Sequence, residues 1–110
     1  MAAPVCMLKG KEIANSKEDF RNAVKIEQYR LGKDALYLPE GLRWKYIPLS
    51  EIRKAEESFR VISAGHCVPV REKRPEIDIE IETGTIHIQL EKQENTNLIL
   101  TAIDAASADR

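Results

Sequence analysis

Between Glu76 and Glu91 the chain alternates with a period of two. Ile77, Ile79 and Ile81 are separated by Glu76, Asp78, Glu80 and Glu82, and after Thr83-Gly84 the apolar positions resume at Ile86, Ile88 and Leu90. Such alternation describes a strand with one buried and one wet face. A two-residue loop at Thr83-Gly84 makes a hairpin in which Ile81 faces Ile86, Ile79 faces Ile88 and Ile77 faces Leu90. The outer face then sets Glu80 against His87 and Glu76 near Glu91. A one-residue slip would bury the carboxylates, so the inward face is strongly specified. Downstream, Leu98, Ile99, Ala102, Ile103 and Ala106 recur at helical spacing, with Asn95 or Thr96 as the cap. That stripe is expected to pack on the sheet that precedes it.

Earlier segments are shorter. The first residues, with Pro4 and Gly10, lack a steady period and predict a loose or edge-attached arm over 1–15, ahead of one domain over 16–110. Ser16 with Asp19 resembles a capping box and predicts a short helix near Phe20 and Ala23. Val24, Ile26 and Gln28 alternate as a strand, Gly32-Lys33-Asp34 is a turn, and Ala35–Leu38 is an apolar strand stopped by Pro39-Glu40-Gly41. In the following LRWKYIPLSEI, Trp44, Tyr46 and Pro48 share one strand face while Lys45, Ile47 and Leu49 share the other. Leu49, Ile52, Ala55, Phe59 and Ile62 sit at helical spacing, so periodicity favours a helix from Ser50 to Ile62. Ser63 to Pro75 is expected to be a loop holding a short edge strand at Cys67–Val70, where Pro69 costs no central ladder bond.

A series of short strands followed by one amphipathic helix, together with the phrase Tyr46-Ile47-Pro48-Leu49-Ser50-Glu51-Ile52, resembles the pleckstrin-homology-like (PH/GRAM-like) superfold. The wording ALYLPEGLRWKYIPLSEI is similar to a group of Firmicute proteins with a domain of this kind, which carries no established activity. The resemblance covers about residues 24 to 106. It implies an α+β fold: a partly open antiparallel β-barrel of about seven strands in two orthogonal sheets, capped by a C-terminal α-helix. It also implies that Ser50–Ile62 is largely strand, against the periodicity.

Composition narrows the function classes. In 110 residues there are 17 basic and 18 acidic side chains, for a net charge of −1. That balance removes the whole-domain electrostatic case for nucleic acid. No apolar run approaches the roughly 18 residues of a membrane span. The start MAAPVCMLKGKE has neither the basic flank nor the apolar length of a secretory signal. Two cysteines, Cys6 and Cys67, make no disulfide framework, and a reduced, cytoplasmic setting is the expectation.

Candidate chemistry is sparse. His66-Cys67 places a base beside a nucleophile, but adjacency in the chain does not bring an imidazole onto a thiol or orient it. Cysteines and histidines at 6, 66, 67 and 87 lack zinc-ligand spacing. The row Glu76, Asp78, Glu80, Glu82 reads as a solvated strand face, and Arg71-Glu72-Lys73-Arg74 as a mixed-sign loop. No enzyme activity, catalytic residue, cofactor or metal is therefore expected. The resemblance implies two binding modes. Lys33, Arg43 and Lys45 approximate the basic pattern with which such domains hold phosphoinositide or other anionic lipid headgroups. Trp44 and Tyr46, with an edge at Cys67, Val68 and Val70, are the candidates for binding a protein or peptide partner, self-association included. The partner-binding module is the leading expectation.

Overall fold

The computed structural model describes residues 4–64 and 70–108. The chain runs β1 (Val5–Cys6), α1 (Ser16–Arg21), β2 (Val24–Ile26), β3 (Tyr29–Leu31), β4 (Ala35–Glu40) and β5 (Arg43–Pro48). A 3₁₀ turn at Leu49–Glu51 leads to β6 (Lys54–Ala64), β7 (Val70–Ile81), β8 (Gly84–Gln89) and α2 (Gln93–Ala108). One sheet has the order β1-β5-β4-β3-β2 and the second β6-β7-β8. All pairings are antiparallel except β1 on β5. The class is α+β as expected: two sheets and a C-terminal helix, not closed into a barrel.

The first sheet is buried on both faces. Leu36 and Ile47 face the principal core, which they share with Ile77, Ile79, Ile99 and Ile103 from the second sheet and α2. Ala35, Tyr37 and Tyr46 point the other way and pack with Phe20 of α1. All three of Ala35, Leu36 and Tyr37 are fully buried. Two-sided burial is why the β4 sequence is a continuous apolar run instead of an alternating one.

The residues before α1 are tied in at one edge. Val5 and Cys6 pair with Lys45 and Tyr46, and Met7 N–H donates to the Tyr46 carbonyl at 2.9 Å. Leu8 is 2% exposed in the principal core, a burial worth about 1.5–3 kcal/mol. The expected capping box is absent. Asn15 occupies the cap position without a side-chain cap bond, because Asp19 is used elsewhere, as described below.

The final hairpin keeps its predicted faces but not its register. Ile79 pairs with Ile86, Ile77 with Ile88 and Asp78 with His87, with Ile81 opposite Gly84. The loop is Glu82-Thr83, one residue earlier than predicted. Moving a two-residue loop by one position shifts the pairing by two, so every side chain stays on its face. Gly84, at φ 145°, takes the one backbone conformation here that side-chain-bearing residues avoid.

Other corrections concern proline and period. Pro39 lies within β4, opposite Trp44, and the turn comes at Gly41, where φ is 59°. The helical spacing at Ser50–Ile62 is overridden: after the 3₁₀ turn the segment is β6, whose Ala55 and Ile79 pair across strands. Pairing with β7 supplies the ladder that the weak alternation did not advertise. The loop predicted for Ser63–Pro75 is largely strand as well, since β6 and β7 pair from Lys54↔Glu80 to Ala64↔Val70. Arg71-Glu72-Lys73-Arg74 therefore lies within β7, not in a loop.

Pro75 is accommodated by the boundary of the sheet. Its carbonyl accepts from Leu90 N–H at 3.0 Å, so its nitrogen also faces the β8 side, where β8 pairing has just ended at Glu76↔Gln89. The missing donor is thus spent where no strand asks for it. The helix α2 begins at Gln93, ahead of the expected caps. Thr96 is fully buried and Leu98 is 54% exposed, so Leu98 leaves the predicted stripe.

Candidate functional site

The strand β6 is eleven residues long and, among the described residues, is paired on one side only, by β7. Which of its groups face outward follows from Pro75. The Pro75 carbonyl points to β8, so Pro75 and its partner Phe59 form a pair that exchanges no bonds across the β6–β7 gap. Phe59 therefore turns its own N–H and C=O away from β7, and alternation adds Glu57 and Ala55. Their backbone groups form an open row at the sheet edge. The Phe59 side chain is 56% exposed beside that row. Glu57 is held to α2 by Gln93 Nε2, 2.5 Å from its Oε1.

The residues singled out from sequence are dispersed. Lys33 lies exposed in the turn before β4, and Arg43 lies exposed at the start of β5, opposite Glu40 at the far end of β4. Six strand residues separate the two ends, about 20 Å at the usual rise. Lys45 forms an ion pair with Glu40. The structure does not bring Lys33, Arg43 and Lys45 onto one headgroup.

Trp44 and Tyr46 belong to the second core. The Trp44 ring lies 5.2 Å from Phe20, and the Arg30 guanidinium caps both, 4.8 Å from Phe20 and 5.3 Å from Trp44. Tyr46 is 1% exposed, and its hydroxyl accepts from Ile13 N–H at 3.1 Å. Burial raises its pKa. An aromatic anchor for a partner needs a free face, and Tyr46 has none. Cys67 and Val68 lie outside the described residues, as do His66 and Pro69. Val70 opens β7, opposite Ala64.

Two polar clips hold the frame that positions β6. In the first, the buried Asp19 carboxylate accepts from Tyr37 Oη at 2.7 Å and from Lys33 N–H at 2.9 Å, with Asp34 N–H at 3.2 Å. A Cβ on Gly32 would sit 2.1 Å from Asp19 Oδ2, so the approach requires glycine. Burial, then the bond to Asp19, holds the Tyr37 pKa far above the usual tyrosine value. In the second clip, Glu27 at φ 54° reaches the segment leading into α2. Its carboxylate accepts from Glu91 N–H at 2.8 Å and Lys92 N–H at 3.2 Å. An open pocket of about 440 Å³ beside it is lined by Glu27, Gln28, Arg74, Gln89, Leu90 and Glu91. Glu27 there is already committed to backbone amides, so the pocket belongs to the frame.

On the outer face of the second sheet, His87 Nδ1 stands 2.6 Å from Asp78 and 3.7 Å from Glu76. The Asp78 hydrogen bond raises the histidine pKa. Sequence reasoning placed His87 opposite Glu80; the two-residue register shift is what gives it these neighbours. The β6 edge was not read from sequence: helical spacing opposed the strand that the resemblance implied, and neither reading placed it at a sheet margin. The signal available for it was the trio Phe59, Val61 and Ile62, all strong strand formers.

Among the described residues, no helix is long and apolar enough to cross a membrane. No family model matches the chain, and neither the curated proteins nor the solved structures yielded a match.

Proposed function

We propose that the chain is a non-enzymatic interaction module of PH-like architecture that takes up an extended segment of a protein or peptide partner along β6. The observation that carries this reading is the open edge: a long strand, hydrogen-bonded on one side, with outward N–H and C=O groups at Ala55, Glu57 and Phe59. A peptide laid against it gains main-chain bonds in register, which supply affinity, and Phe59 supplies an apolar contact. The near-neutral charge and the cysteine usage agree with a cytoplasmic module that does not act on nucleic acid. The anionic-lipid alternative loses support, because its three cations are spread over both ends of β4 and Lys45 is paired with Glu40.

The test is affinity capture from the native host with matched variants. Glu57→Pro removes one outward donor without touching the β6–β7 ladder, whereas Glu57→Ala removes the side chain and keeps the donor. Capture of a partner by the parent and by Glu57→Ala, with loss in Glu57→Pro, is expected. Equal capture by Glu57→Pro rejects strand addition at this edge. Light scattering behind size exclusion tells whether the captured strand belongs to a second copy.

A further inference from the structure

We propose that Glu76, Asp78 and His87 form a binding site for a divalent transition-metal cation with zinc-like donor preferences. Their donor atoms all lie within 4.8 Å of one another. The constellation is set by the sheet. Asp78 and His87 are directly opposite in the β7–β8 ladder, and Glu76 follows two residues along on the same face. Two carboxylates therefore come from one strand and a ring nitrogen from its neighbour, at positions the backbone register fixes.

The chemistry of the donors selects the cation. A metal with bonds of about 2.0–2.2 Å needs ligand atoms roughly 3–3.5 Å apart. The 2.6 Å contact from His87 to Asp78 and the 3.7 Å contact to Glu76 bracket that value. The His87 and Asp78 side chains, 59% and 34% exposed, have room to rotate toward an ion, and the widest donor separation in the set, within 4.8 Å, closes as they do. Magnesium and calcium favour all-oxygen sites, while an imidazole with carboxylates suits zinc, cobalt or manganese. The exposed side of His87 leaves room for water to complete the shell.

The charge balance agrees. Among the described residues, neither Glu76 nor Asp78 has a lysine or arginine ion-pair partner; His87 is the partner of both. Across the ladder, Asp78 faces Glu56 and Glu80 faces Lys54, and Lys54 is bonded to Glu56 at 2.8 Å. Two carboxylates on one patch with a single weak base between them attract a cation more strongly than either does alone.

The experiment is calorimetric titration of the full chain with Zn²⁺ in a His66→Ala/Cys67→Ser background, which removes two other ligands of suitable chemistry. One ion per chain is expected, with affinity at least about tenfold weaker in His87→Ala. Mn²⁺ is expected to broaden the amide signals of Glu76–Asp78 and Ile86–Ile88 before others. Unchanged affinity in His87→Ala, broadening centred elsewhere, or Mg²⁺ bound as tightly as Zn²⁺ overturns the assignment. Circular dichroism on His87→Ala confirms that any loss is not unfolding.

Discussion

The Asn95 side-chain amide donates to the Glu27 carboxylate at 2.9 Å, across 68 positions of sequence. With the Glu91 and Lys92 amides on the same carboxylate, this makes one side chain the fastening between the β2–β3 turn and the start of α2. Helix starts leave backbone donors without partners, and Glu27 supplies acceptors from a distant element. Its positive φ costs on the order of 1 kcal/mol, which the three bonds offset. Glu27→Ala is expected to lower unfolding free energy by about 1–3 kcal/mol in urea titrations. Glu27→Gly should lose less, since glycine relieves the backbone while forfeiting the same bonds.

The Asp19 nest makes a second, sharper prediction. Gly32→Ala brings a methyl group onto the Asp19 carboxylate and should cost about 1–3 kcal/mol by overpacking. Asp19→Ala should also destabilise, by leaving Tyr37 and two turn amides without their acceptor. The double variant should cost clearly less than the sum of the two, because removing Asp19 removes the clash. Additive losses in thermal or urea unfolding reject the contact.

Tyr37 gives the pH dependence. Its folded pKa is raised above its unfolded value, first by burial and then by Asp19. The unfolded chain therefore releases the phenolic proton first, at a pH of about 10, while the folded chain holds it. This contribution to stability is complete below that pH and declines as pH rises further. Chemical unfolding measured stepwise above pH 9 should show falling stability, with a shallower decline in Tyr37→Phe. That variant should start about 1–2 kcal/mol lower at neutral pH for loss of the Asp19 bond.

Adjacent positions on β6 should respond oppositely to proline. Ser58 bonds into the β7 ladder and Glu57 does not. Ser58→Pro is expected to cost at least about 3 kcal/mol, and Glu57→Pro much less. Hydrogen exchange offers a direct check: the Ser58 amide should be protected in the free chain and the Glu57 and Phe59 amides should exchange readily.

How far these features were legible in sequence depended on what each pattern encodes. The Ile77-Ile79-Ile81 alternation records which face is buried, and it carried that face correctly. It records nothing about a two-residue sliding of one strand along another, which keeps the faces and was decided at Glu82-Thr83 and Gly84. Leu49, Ile52, Ala55 and Phe59 fell at helical intervals although Ile52 is core, Ala55 packs against it and Phe59 is exposed; three different environments mimicked one stripe. Asp19 looked like a helix cap because that local role is common, whereas its partners Lys33, Asp34 and Tyr37 come from beyond the helix. The edge and the His87 cluster were hidden for the same reason: both are products of which strand lies beside which.

The two margins of the three-stranded sheet are unequal in length and in occupancy. On the β8 side, Pro75 offers no donor where β8 pairing stops, and the outward groups of Gln89 are occupied by the Tyr29 hydroxyl, with Gln89 N–H donating at 3.2 Å and Tyr29 Oη donating to the carbonyl at 2.9 Å. On the β6 side the row is open. An added strand finds a longer margin along β6, Lys54–Ala64, than along β8, Gly84–Gln89, where Thr85 and His87 keep outward groups and Gln89 does not.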